Sequence, residues 1–107
     1  MKHGPIALIE QGTPVVAIAL DGPFKEKMRS NIAEMKARGA RVVAVTTQGS
    51  AAIEMLDEDT ILVPPMSEML APVITAVPLQ LLAYYMACER GCDVDMPKNL
   101  AKSVTVE

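Results

Sequence analysis

His3 is the one histidine in the sequence, in Lys2-His3-Gly4-Pro5. An imidazole with an ordinary pKa of about 6.5 exchanges protons at neutral pH, and a lone histidine near a chain start is equally a solvated bystander. Lys102 sits within Leu100-Ala101-Lys102-Ser103-Val104-Thr105-Val106-Glu107, where apolar residues at 100, 104 and 106 suggest a polar tail that docks. A lysine there is a compact cation for a phosphate or a sugar hydroxyl, or an ordinary surface lysine. Asp93 and Asp95, two apart, are either an acid–base pair or solvated, capping carboxylates. Thr46-Thr47-Gln48-Gly49-Ser50 offers hydroxyls and backbone N–H groups to a phosphate, or is a turn ending in an N-cap serine. Cys88 and Cys92 have no histidine close by and no second cluster to complete a metal site, so they read as structural thiols. On one helix face they form no unstrained disulfide. Neither a GxGxxG nor a GxxxxGK[ST] stretch is present, so no nucleotide cofactor site is supported, and no cofactor or metal is expected.

These residues need elements to position them. Three short runs, Pro14 to Leu20, Val42 to Thr46 and Thr60 to Val63, are rich in Val and Ile without polar alternation. Solid runs of this kind predict strands buried on both faces, as in a parallel sheet covered by helices. Phe24, Met28, Ile32 and Met35 recur at helical spacing and predict one apolar helix face, with Pro23 in the first turn and Gly39 as a left-handed cap. Ser50 to Leu56 predicts a shorter helix. The apolar stretch from Ser67 to Arg90 holds Pro72 and Pro78, which predict a short helical turn and then a longer helix starting or kinking near Pro78. The order is α/β with right-handed crossovers, and three strands are few for such a sheet. In open parallel sheets ligands bind past the carboxyl ends of strands, where the loop from Thr46 to Ser50 falls.

The composition narrows the class. The chain has 107 residues, 50% hydrophobic and 21% charged, with a net charge of −3. A chain of this size buries roughly two-thirds of its unfolded surface, enough for one core. Mean hydropathy is +0.26, high for a self-contained soluble domain. No apolar run approaches the ~18 residues that cross a bilayer. With one Phe, two Tyr, no Trp and no basic patch, nucleic acid is disfavoured. No secretory signal is visible, so no membrane partner and a cytoplasmic location are expected.

The tail from Asp93 to Glu107, the preceding Val77-Pro78-Leu79-Gln80-Leu81-Leu82-Ala83-Tyr84-Tyr85 and the opening Lys2-His3-Gly4-Pro5-Ile6-Ala7-Leu8-Ile9 resemble the C-terminal sugar-isomerase (SIS) domain of the glucosamine-6-phosphate synthase family, the isomerizing glutamine–fructose-6-phosphate aminotransferases. The likeness runs over the whole chain, specific at both ends and generic between about residues 21 and 66. It implies a partial SIS, flavodoxin-like three-layer fold. Its parallel sheet has about three strands flanked by helices, with residues 1–91 in the domain and 92–107 as a pocket-closing irregular tail.

The family makes glucosamine 6-phosphate from fructose 6-phosphate and glutamine. The resemblance implies that His3 assists sugar ring opening in the neighbouring subunit's site. It places Lys102 over the sugar, and Ala101 and its neighbours in the segment that closes the pocket and separates the two reactions. It assigns the substrate phosphate to another SIS domain, which demotes the loop from Thr46 to Ser50. The family's glutamate base and a second lysine lie upstream of Lys2-His3-Gly4-Pro5, outside this sequence, as do the amidotransferase and first SIS domains. The expectation is therefore a piece of the synthase that is inactive alone and associates at least as a dimer through cut sheet edges and apolar helix faces. The alternative is a standalone, non-catalytic module that binds sugar phosphates or mediates assembly.

Overall fold

Three runs of β-branched residues become three parallel strands, in a computed structural model that describes residues 3–50 and 59–96. Strand β1 is Pro14–Ile18, β2 is Arg41–Thr47 and β3 is Thr60–Val63, in the sheet order β1-β2-β3. Helix α1, Lys25–Lys36, makes the crossover between the first two. The register pairs Val15 with Val42 and Ala17 with Ala44, and Val45 with Ile61. Residues paired in register share a face.

One face of the sheet carries the core. Ala17, Ala19 and Val42 pack with Ile32 and Met35 of α1, and Met28 is partly buried beside them. The expectation of strands covered on both faces holds for β2 and fails for β1. Val45 is 0% exposed, while Val16 and Ile18, whose side chains point to the opposite face, are 41% and 40% exposed. The reason is position, since β1 is an edge strand and β2 has a neighbour on each side. Phe24 also departs from the expected helix face. It is 71% exposed, because it stands at the N-cap of α1 with non-helical backbone rather than in the first turn.

Gly39 closes α1 as its position in the sequence suggested. Its φ is 87°, a left-handed conformation that glycine adopts without strain, and a Cβ there would run into the Gln11 side chain. The freed backbone is used at once: Gly12 N–H donates to the Gly39 carbonyl at 2.7 Å, bringing the start of β1 beside the start of β2.

The apolar stretch after β3 forms a short 3-10 turn, Glu68–Leu70, and then helix α2, Ala71–Glu89, unbroken through Pro78. Pro72 costs nothing in the first turn, and Pro78 removes one donor without ending the helix. The unbroken span Glu68–Glu89 is 22 residues, and by length and composition it is apolar enough to cross a bilayer. The short turn and longer helix are as expected, but the helix starts at Ala71 rather than near Pro78, and the span corrects the expectation that no apolar run approaches ~18 residues. Gly91, with φ of 67°, ends the helix in a Schellman turn: Cys92 N–H donates to the Ala87 carbonyl and Gly91 N–H to that of Cys88, both at 2.9 Å. Cys92 thus lies beyond the helix, and both cysteines are exposed rather than packed inside. The chain divides into two compact units, Met1–Thr75 and Ala76–Glu107. The helix expected over Ser50 to Leu56 falls mainly on residues outside those described.

Candidate functional site

The carboxyl ends of β1 and β2 meet in a small polar cluster. Thr46 is fully buried and its hydroxyl donates to the Ala19 carbonyl at 2.8 Å. The backbone N–H of Asp21 donates to Thr47 Oγ1 at 3.3 Å. Ser50, itself buried, donates its hydroxyl to Asp21 Oδ1 at 2.7 Å. Lys25 Nζ pairs with the same Oδ1 at 2.7 Å. Lys25 first, and then the Ser50 hydroxyl, hold the Asp21 carboxyl below its ordinary value of 3.8.

These contacts decide what the loop from Thr46 to Ser50 does. Its hydroxyls are engaged by the protein's own groups, so the loop ties strand ends together. Asp21, already held by an ammonium and a hydroxyl, is a latch between the segment after β1 and Ser50, three residues past the end of β2. A cleft of about 200 Å³ opens beside it, floored by Ile18, Leu20, Met28 and Met66 and edged by Asp21 and Lys25. That is below the ~300–1,000 Å³ of a typical small-molecule site.

Sequence reasoning passed over Asp21. Its signal was present, an acid directly after a strand run, before Gly22-Pro23 and four residues ahead of Lys25. Its partner Ser50 lies 29 residues further on, a distance that periodicity does not report.

His3 stands exposed in the turn before the 3-10 helix Pro5–Leu8, with no hydrogen bond or ion pair among the described residues. Ala101 and Lys102 lie outside the described residues, so the structure does not bring the three expected site residues together. Asp93 follows its capping reading: its Oδ1 accepts from the backbone N–H groups of Asp95 at 3.0 Å and Met96 at 3.1 Å. No group of three or more potential metal ligands occurs among the described residues. On α2, hydrogen bonding to Cys88 raises Tyr84 above its ordinary 10.0, which leaves the phenol protonated at neutral pH.

Comparison with known proteins adds what geometry lacks. Residues 1–90 match the family profile of the SIS domain. The chain belongs to the SIS domain family. SIS-family relatives named isomerizing glutamine–fructose-6-phosphate aminotransferase are similar along its whole length. Those from Caldanaerobacter subterraneus subsp. tengcongensis and Thermus thermophilus are each 56% identical over 107 residues, covering 100% of this chain and 18% of theirs. The chain therefore spans about a fifth of the length of the curated relatives it matches. Among solved structures, the C-terminal domain of glucosamine-fructose-6-phosphate aminotransferase from Francisella tularensis superposes with a TM-score of 0.79 at 34% identity, over 89% of this chain and 27% of that one. The α/β class and the parallel SIS sheet read from the sequence are thereby borne out.

Proposed function

We propose that this SIS chain serves as the C-terminal portion of the isomerase half of an isomerizing glutamine–fructose-6-phosphate aminotransferase, making glucosamine 6-phosphate. The observation that carries the reading is the 56% identity over all 107 residues to relatives of that name. Residues 1–91 form the SIS portion and 92–107 the tail that closes over the sugar. Opening the sugar ring moves a proton between the ring oxygen and the anomeric hydroxyl, and His3 supplies the imidazole for it in a neighbouring subunit's site. Lys102 places its ammonium over the sugar and Ala101 lies in the closing segment. The later proton shift between C1 and C2 needs a carboxylate base, which this reading assigns to the parent protein upstream of Lys2. The chain alone is accordingly inactive, acts in the cytoplasm and works in an assembly of at least two subunits.

The test is a chimera in which this chain replaces the matching stretch of the Thermus thermophilus relative. It is expected to form glucosamine 6-phosphate, and the purified 107-residue chain to form none. In the chimera, His3→Ala lowers kcat by about 10²–10⁴-fold, the range for a positioned proton donor or acceptor. Lys102→Ala raises KM for fructose 6-phosphate by roughly tenfold or more, the worth of one lost hydrogen bond to a charged group. A chimera without activity sinks the reading. A second reading is a non-catalytic module that binds sugar phosphates or supports assembly, to which the exposed apolar side chains of α2 are suited. Retained fructose 6-phosphate binding by an inactive chimera supports that alternative.

A further inference from the structure

We infer that Asp93 is a positioning residue for the sugar-closing tail: by capping the backbone of residues 95 and 96, it sets the direction in which the tail leaves helix α2. This rests on the functional reading above, in which Ala101 and Lys102 close over the sugar.

The exit from α2 is built in two steps. Gly91 turns the backbone through its left-handed φ of 67°, and Cys92 N–H is fixed to the Ala87 carbonyl. Beyond Cys92, the hydrogen bonds among the described residues are the two that Asp93 Oδ1 accepts, from the N–H groups of Asp95 at 3.0 Å and Met96 at 3.1 Å. An aspartate that accepts from the second and third residues after it holds a turn as a cap does. Pro97 comes next in the sequence. It has no N–H to extend the pattern, and its ring disfavours helical backbone at Met96. A continuing helix is therefore no substitute for the Asp93 acceptor.

The lever beyond this turn is short. Ala101 follows Met96 by five residues, a reach of at most about 18 Å. Over such a span, the direction fixed at 95 and 96 limits where the Lys102 ammonium can be delivered. Without the cap, residues 94 to 96 regain their soft dihedrals, and closing the tail has to fix them again. The closed tail is then a smaller fraction of the population, and the apparent affinity for the sugar falls by that fraction. At saturating sugar the tail is held by the sugar itself. Loss of the cap therefore moves KM and leaves kcat.

The test compares Asp93→Ala and Asp93→Asn in the Thermus thermophilus chimera by two measurements. One is the steady-state rate against fructose 6-phosphate. The other is trypsin cleavage after Lys102, titrated with the same sugar and read as release of the Ser103–Glu107 peptide by mass spectrometry. Asp93→Ala is expected to raise KM and the half-protecting sugar concentration about 3- to 30-fold, the equilibrium equivalent of a lost cap, with kcat within about twofold. Asp93→Asn keeps an acceptor oxygen and is expected to hold both values within about twofold of the parent.

Unchanged KM and half-protection in Asp93→Ala overturn the inference, as does a fall in kcat at unchanged KM. Failure of Asp93→Asn to keep the parent values overturns it too, because the effect then belongs to the charge and not to the cap. A Lys102 site that the sugar does not protect overturns it whatever the activity. The two readings part cleanly. An active chimera indifferent to Asp93→Ala keeps the function and removes this role of Asp93. An inactive chimera in which Asp93→Ala and Asp93→Asn shift sugar protection as expected keeps the role and removes the function.

Discussion

The sheet region and helix α2 are built from the same kinds of residue and meet opposite fates. In the sheet, Ala44 and Val45, on opposite faces of the central strand, are 1% and 0% exposed. Along α2, apolar residues of equal or larger size stand half-exposed, and the buried residue Thr75 spends its hydroxyl on the Ala71 carbonyl one turn back, at 2.8 Å. The difference teaches that apolarity does not by itself say where a segment's cover lies. α1 returns β2 beside β1 and covers one face of that pair. α2 makes its backbone hydrogen bonds locally, save the donor that Pro78 lacks, while its apolar side chains stay half-exposed.

The largest test of that contrast is truncation on either side of it. Ile32→Ala, in the core of the sheet region, is expected to cost about 2–5 kcal/mol in urea unfolding. Leu81→Ala on α2 is expected to stay within about 0.5 kcal/mol in the isolated chain, as surface changes do. Equal costs would erase the distinction. A smaller effect is expected from Thr46→Val, which removes the buried hydroxyl bound to Ala19. It should cost about 1 kcal/mol, with the sheet otherwise intact by circular dichroism.

The smallest effect sharpens the comparison within the sheet region. Asp21 has a folded pKa lowered from 3.8, so its contribution is fully present above that ordinary value and fades as pH falls through the lowered one. Asp21→Asn should therefore be less stable than the parent at pH 6, and the gap between the two should close in acid. A gap that persists at pH 2 would mean that the latch does not work through charge.

How far the sequence disclosed all this varies with how local each cause is. The strands were legible because Val and Ile runs carry their own preference, and α1 because its spacing repeats within a dozen residues. Phe24 was misplaced because helical spacing alone does not mark the first residue of a helix. Pro78 reads as a helix start or kink because its lost donor is visible in sequence, whereas the hydrogen bonds on either side that carry the helix past it are not. The Asp21–Ser50 bond was invisible because folding, and no local pattern, joins them. His3, Ala101 and Lys102 acquired roles through resemblance alone, since one imidazole and one lysine have no partner in sequence that would distinguish them from bystanders.

The consecutive order of the strands also has a consequence in time. Each strand pairs with the one made just before it, so no pairing waits on a distant segment and the loop-closure cost stays low. Once Val63 has emerged, all three described strands are available to pair. Synthesis then needs only a few more seconds to reach the end of α2, at about 5–20 residues per second. Helix α2 thus emerges only after the three described strands have had the chance to pair, and its apolar side chains meet water until cover reaches them.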